Sequence, residues 1–87
     1  MQMKSYRAIA KHKLEKATKT KYEALIEESN VTEEMRKIAF LKLVRKETYV
    51  SLSLKYNCSV EHIRDIMAEV YDKVYEVIKG GLIWKVL

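Results

Sequence analysis

The sequence contains no proline, and its two glycines, Gly80 and Gly81, lie side by side near the C-terminal end. Glycine and proline are the residues that most often interrupt a helix, so residues 1–79 lack both strong helix breakers. Hydrophobic residues make up 48% of the chain, which is typical of a folded protein and not of a disordered one. These features predict one small all-α domain, because 87 residues allow a single hydrophobic core.

Cysteine and long apolar runs are scarce as well. The single cysteine, Cys58, excludes an intramolecular disulfide. No apolar run approaches the ~20 residues that a membrane span needs, and the first residues lack the apolar stretch of a signal peptide. The sequence therefore predicts a cytoplasmic protein without membrane contact.

Residues for catalysis or metal binding are also few. Cys58 and His62 have a spacing that suits two metal ligands on a helix, but a site needs three or four, and His12 is the only other histidine. Acidic residues along the last helix alternate with lysine and arginine, which favours a solvated face over a catalytic carboxylate pair. A glycine-rich phosphate loop is absent. We expect no catalytic site, metal, cofactor or small-molecule substrate.

Basic residues are concentrated at the N-terminal end. Residues 1–21 contain seven lysines and arginines against Glu15 alone, in a chain whose net charge is +5. Such a block commonly contacts nucleic acid phosphates, and a charged helix face in solvent is the alternative. The charge distribution thus favours a nucleic acid partner.

Apolar spacing and capping residues predict four helices. In the first helix the spacing is convincing only from Ala17 onward, and one hypothesis is that its first half becomes ordered on binding. Ser29 or Asn30 suits the N-cap of the second helix, with Glu33 as the capping-box partner of Asn30. The predicted helices cover about residues 5–28, 31–46, 49–56 with Thr48 as N-cap, and from Ser59 as N-cap to residue 79.

The last helix is apolar on more than one face. Because one face cannot hold all of these side chains over so small a core, either a second copy covers the C-terminal half, or the N-terminal helix and the tail do. Gly80 is predicted to end the helix in the left-handed conformation, and the apolar tail, residues 82–87, then folds back or binds a partner. The apolar positions are Ile63, Ile66, Met67, Val70, Tyr71, Val74, Tyr75, Val77 and Ile78.

The stretch "SLSLKYNCSVEHIRDIM", residues 51–67, has the pattern of a helix-turn-helix. Ser53 is the small residue that allows a close helix crossing, Asn57 tolerates the left-handed backbone of the turn, and Ser59 caps the second helix. The alternative is an ordinary three-helix bundle in which Asn57 is a loop residue. The apolar residues that would fix both helices to a third are Leu52, Tyr56, Cys58, Ile63 and Ile66.

The longer stretch "VTEEMRKIAFLKLVRKETYVSLSLKYNCSVEHIRDIMAEV", residues 31–70, resembles region 4 of bacterial sigma factors. Tyr49 begins the middle helix of the pattern, and Ser53 and Asn57 stand where the family usually has alanine and glycine. The resemblance implies a helix-turn-helix that binds double-stranded DNA, and in the family a surface that binds RNA polymerase. Whereas the sigma-like regions carry several basic residues in the reading helix, this chain has Glu61 and Asp65 there.

We interpret the chain as one domain with three parts: a basic N-terminal helix over residues 1–28, the sigma-region-4-like core over 31–70, and the end of the long helix with the apolar tail over 71–87. The expected function is sequence-specific binding of double-stranded DNA in transcription regulation, as in compact regulators of bacteria and phages. The residues expected to read bases in the major groove are Ser59, Val60, Glu61, Arg64 and Asp65. The residues expected to contact phosphates are Lys4, Arg7, Lys11, Lys13, Lys42, Arg45, Lys46 and Lys55.

Two other functions fit the same pattern. Glu61 and Asp65 can accept hydrogen bonds only from cytosine amino groups and otherwise repel the DNA backbone. They favour an interaction protein that uses the sigma-like shape to bind RNA polymerase or another protein without reading DNA. A phage DNA-packaging subunit is the third interpretation, and a homodimer through the last helix and the apolar tail is compatible with each.

Overall fold

The computed structural model describes residues 6–80, which form helices and, within that range, no strand. The predicted all-α fold is therefore confirmed. None of the helices in this range is long and apolar enough to cross a membrane. The helices are α1 (Tyr6–Lys16), α2 (Lys19–Ser29), α3 (Glu33–Leu43), α4 (Tyr49–Lys55) and α5 (Val60–Gly80).

The basic N-terminal region forms two helices, where the sequence predicted one. Thr18 has extended backbone, and its hydroxyl accepts a hydrogen bond from the Lys21 amide at 3.3 Å, so it caps the start of α2. Both α1 and α2 pack on α5. Ala10 and Leu14 of α1 are buried, and they anchor the first half of the predicted helix through a narrow apolar face.

The start of α3 also differs from the prediction. Thr32 is the N-cap, because its hydroxyl accepts from the Met35 amide at 3.2 Å. Asn30 instead ends α2 in the left-handed conformation, with φ of 57°, and its amide donates to the Glu27 carbonyl. The predicted capping box at Asn30 is wrong, since the chain uses this residue, which tolerates positive φ, to turn between the two helices. The hydroxyl of Ser29 is bonded to the Leu25 carbonyl within α2.

Helix α3 ends at Leu43, three residues before the predicted end. Lys46 has a φ of 63°, which lies in the left-handed region and is incompatible with continuing the helix. The loop that follows reaches Thr48, whose hydroxyl accepts from the Ser51 amide at 3.0 Å and caps α4 as predicted. The early end leaves Arg45 and Lys46 exposed in the loop.

Helix α5 is the central element, and all four other helices pack against it. Its residues Ile63, Met67, Val70 and Val74 are fully buried within a single chain. The apolar stripe up to this point is therefore covered by the other helices and not by a second copy. Other apolar residues of α5 are only half-buried, namely Ile66, Tyr75, Val77 and Ile78. The tail at 82–87, which the predicted dimer also uses, lies outside the described residues.

Gly80 is the last residue of α5 and does not have left-handed backbone, so the prediction that it terminates the helix in that conformation is wrong. Gly80 is exposed at the end of α5, where right-handed backbone at a glycine costs only modest entropy. A Cβ atom at this position would meet no atom of the described residues within 4 Å.

The local features that predicted a helix-turn-helix are present between α4 and α5. Ser53 is buried, and its hydroxyl donates to the Val50 carbonyl at 2.7 Å. Asn57 has a φ of 54° and makes the turn. The hydroxyl of Ser59 accepts from the His62 amide at 3.0 Å and so caps α5. These contacts fix the backbone of the turn. The start of α5, which follows the turn, is exposed to solvent.

Candidate nucleic-acid interface

The five predicted base-reading residues lie together on the first two turns of α5. Ser59, Glu61, Arg64 and Asp65 are exposed, and Val60 is half-buried. Ile63, which lies between Glu61 and Arg64, and Met67, one turn further on, are fully buried and fix the opposite face of the helix to the core. The start of α5 therefore presents a polar strip of fixed orientation to any partner.

Tyr49 joins this strip to α3. The guanidinium carbon of Arg64 lies 5.4 Å from the centre of the Tyr49 ring, and the ammonium nitrogen of Lys42 lies 4.8 Å from the same centre. Both distances are within the range of cation–π attraction. The ring is the first residue of α4, so it holds cations from α3 and α5 beside each other.

Helix α1 brings its basic residues to the same place. A shallow depression of about 320 Å³ lies where α1 crosses α5 near the start of α4. Lys11 and Arg7 come from α1, and Arg64 comes from the predicted reading helix. The basic N-terminal region and the predicted reading helix thus share one surface. The depression is lined by Arg7, Ala8, Lys11, Tyr49, Arg64, Met67, Ala68 and Tyr71.

Two of the predicted phosphate ligands are bonded to carboxylates. The Nε and a terminal nitrogen of Arg7 donate to the two oxygens of Asp72 at 2.8 and 3.1 Å, which ties α1 to α5. The Nζ of Lys55 donates to Glu47 at 3.1 Å, and this bond, helped by one from the Ser51 hydroxyl, holds the pKa of Glu47 below its usual range. The positive charge of Arg7 and Lys55 is partly balanced before any ligand binds.

The other predicted phosphate ligands occupy different parts of the surface. Arg45 and Lys46 are exposed in the loop after α3, next to the start of α4. Lys13 is exposed on α1. Lys4 lies outside the described residues. Lys11 lines the depression beside Arg64, and Lys42 shares the Tyr49 ring with that arginine. Together with Arg45 and Lys46, which are exposed in the loop between α3 and α4, these two lysines are called the basic rim.

Glu61 and Asp65 place negative charge within this basic surface. Both carboxylates are exposed, and neither forms an ion pair with any residue between 6 and 80. They are therefore available either to accept hydrogen bonds from cytosine or to repel phosphates.

A larger groove of about 950 Å³ lies between α2 and α3. Phe40 and Val44 are 43% and 46% exposed along it. The hydroxyl of Tyr22 and the Nε of Arg36 also belong to its lining residues, and both atoms are buried without a hydrogen-bond partner among the described residues. This groove shares no lining residue with the depression at Arg64.

Cys58 and His62 lie in different surroundings. Cys58 is half-buried and packs against the core, whereas His62 is exposed. Within residues 6–80 no three side chains of histidine, cysteine, aspartate or glutamate come together as metal ligands.

The residue pattern predicts the polar strip on α5. It predicts neither the position of Tyr49 beside Arg64 and Lys42 nor the groove between α2 and α3. Tyr49 was noted only as the start of a helix, and no spacing pattern relates it to Arg64 or Lys42. The groove is lined by residues of α2, whose separate start at Thr18 was not predicted from the sequence. Both features arise from contacts between separate helices.

Comparisons of the chain with models of protein families, with curated proteins and with solved structures found no match. Function is therefore inferred from the geometry of the chain's own residues.

Proposed function

We propose that this protein binds double-stranded DNA and acts in transcription regulation, with the first turns of α5 in the major groove. The observation that carries the proposal is the meeting of cations from three helices around the exposed start of α5. Lys11 of α1 lines the same depression as Arg64, and Lys42 of α3 lies over the same Tyr49 ring as Arg64. Helix-turn-helix proteins place the N-terminal residues of the second helix against base edges and surround them with phosphate contacts.

The exposed strip of α5 supplies the groups that read bases. The guanidinium of Arg64 can donate two hydrogen bonds to O6 and N7 of a guanine. Glu61 and Asp65 can accept from the amino group of cytosine, and Val60 can contact a thymine methyl group. Ser59 lies at the helix start, where its hydroxyl suits a phosphate. The strip thus favours sites rich in G·C pairs.

The basic rim supplies the affinity. Lys11, Lys42, Arg45 and Lys46 neutralise phosphates, and each contact releases counterions, so binding weakens as salt rises. Because Arg7 and Lys55 already have carboxylate partners, they contribute less to this salt dependence. The direct phosphate contacts are therefore fewer than the number of basic residues suggests.

Fluorescence anisotropy with a labelled random duplex, over a salt series, tests the proposal. We expect log K to fall linearly with log salt concentration. Lys11→Ala should weaken binding to all duplexes and reduce the slope by about 1, because it removes one phosphate contact. Arg64→Ala should reduce discrimination between selected and random duplexes by about 1–3 kcal/mol, because it removes a base contact.

Lys37→Ala is the matched control, since Lys37 is exposed on α3 but lines the groove and not the basic rim. It should leave the salt slope unchanged. Absence of binding at low salt, or equal effects of the Lys11 and Lys37 substitutions, would exclude the proposed surface.

The groove between α2 and α3 supports a second candidate function, an interaction protein that binds RNA polymerase or another protein. An amphipathic helix commonly docks in such an apolar groove. Phe40 and Val44, which are 43% and 46% exposed, offer it apolar contacts. This candidate does not require Glu61 and Asp65 to face DNA.

Titration of core RNA polymerase with the labelled protein tests this candidate. Phe40→Glu should weaken the complex by about 2 kcal/mol or more, because it puts a charge at the apolar centre of the groove. Val50→Glu changes an equally apolar residue, 59% exposed on α4 and outside the groove, and should bind as the parent does. Equal affinities of both variants would show that polymerase does not use the groove.

A further inference from the structure

We infer that Tyr49 is a positioning residue, which fixes Arg64 and Lys42 in the orientation that DNA recognition needs. The inference rests on the proposed DNA binding and names a specificity determinant within it. Tyr49 itself reaches no predicted reading position, since it stands at the start of α4 and not on α5. Its effect on DNA passes through the two cations that lie over its ring.

The ring of Tyr49 is held in place from two sides. Thr48 caps α4 through a 3.0 Å bond from the Ser51 amide, which fixes the backbone at the first helical residue. The ring is half-buried and packs against the hydrophobic core. It lines the depression at Arg64 together with Met67 and Tyr71, two residues of the buried core.

Arg64 depends on such a platform because its side chain is exposed on the helix surface. An exposed arginine samples many rotamers, and holding it for a two-point contact with guanine has an entropic cost. Attraction between the guanidinium and the ring, at 5.4 Å from the ring centre, restricts these rotamers before DNA arrives. The side chain of Arg64 then loses its rotamer entropy during folding and not when DNA binds.

Tyr49 also orients Lys42, which is a predicted phosphate ligand. Its ammonium lies 4.8 Å from the centre of the same ring, although it comes from α3. Tyr49 therefore sets the spacing between a base-reading group and a phosphate-binding group that belong to different helices. This spacing defines which base pair Arg64 meets when Lys42 contacts the backbone.

The test measures discrimination at a single guanine. A duplex selected from a random pool is compared with copies in which each guanine in turn is replaced by 7-deazaguanine, which lacks the N7 acceptor. For the parent protein, one guanine should show a penalty that Arg64→Ala abolishes. Tyr49→Leu should reduce this penalty about two- to fivefold, the size of a cation–π contact at an exposed site, and Tyr49→Phe should keep it.

Two controls separate positioning from a general structural effect. Tyr75→Leu changes another half-buried ring that has a cation near it, the Lys79 ammonium at 6.0 Å, and should keep the full penalty. In the Arg64→Ala background, adding Tyr49→Leu should cause no further change in the penalty at this guanine, because Tyr49 acts on that contact through Arg64. Retention of the full penalty by Tyr49→Leu would overturn the inference.

A measurement on the free protein tests the contact between Tyr49 and Arg64 separately from DNA binding. Nitrogen-15 relaxation of the Arg64 Nε should show a restricted side chain in the parent and in Tyr49→Phe, and a mobile one in Tyr49→Leu. If the parent binds no duplex but this difference is found, the positioning contact exists and the proposed function is wrong. Equal relaxation in all three proteins would show that Tyr49 does not hold Arg64.

Discussion

Replacing Ile63 with alanine is expected to lower the free energy of unfolding by about 2–5 kcal/mol. Ile63 has no exposed surface and lies in the first turn of α5, where α3 and α4 pack against this helix. Truncation removes apolar contacts and leaves a cavity that the surrounding helices cannot fill without moving. Since domains of this size are stable by only about 5–15 kcal/mol, the loss is a large fraction of the total.

Urea denaturation followed by circular dichroism measures this change. Val50→Ala is the control, because Val50 is 59% exposed on α4 and its truncation should cost less than about 0.5 kcal/mol. If both variants unfold at the same urea concentration, Ile63 does not have the central role that its burial indicates.

Above pH 10 the protein is expected to lose stability through its buried tyrosines. Burial raises the pKa of Tyr22 to about 12, although the nearby charge of Arg36 partly opposes the shift, and burial also raises the pKa of Tyr71. The unfolded chain releases these protons near pH 10, so it binds fewer protons than the folded chain at higher pH. Stability is complete below about pH 10 and falls as the pH rises through the folded pKa, by roughly 2–3 kcal/mol for Tyr22 alone.

Tyr22→Phe should remove this part of the alkaline loss. At neutral pH the variant should be as stable as the parent or more so, because the Tyr22 hydroxyl is buried without a hydrogen-bond partner among residues 6–80. Denaturation curves measured from pH 8 to 12 provide the comparison. Tyr6→Phe, at a ring that is 46% exposed, is the control, since it leaves both buried phenols in place. Identical pH profiles for the parent and Tyr22→Phe would contradict the assignment.

The features predicted correctly from sequence are those that depend on a few adjacent residues. Thr48 and Ser59 cap their helices because a hydroxyl there reaches an amide three residues on. Asn57 turns the chain because it tolerates positive φ. The apolar steps of α5 likewise predicted its buried face, since the 3.6-residue period places them on one side.

The features that the sequence did not predict depend on which of several equally suitable residues caps or ends a helix. Asn30 and Thr32 are both good N-caps, and only the need to turn after α2 assigns one to each helix end. The break at Thr18 lies within a lysine-rich stretch that has no glycine or proline, and it is marked by the Thr18 hydroxyl, the same capping signal as at Thr48. Lys11 and Arg64 approach each other only through the packing of α1 on α5, which residue spacing does not encode.

The separation of the two surfaces has a consequence for assembly. The depression at Arg64 and the groove at Phe40 have no lining residue in common, so occupation of one does not remove contacts from the other. If the depression binds DNA and the groove binds a protein, this chain acts as an adapter that tethers that protein beside a chosen stretch of DNA. The tethered partner then encounters that DNA at a raised effective concentration, and two individually weak contacts give a tight ternary complex.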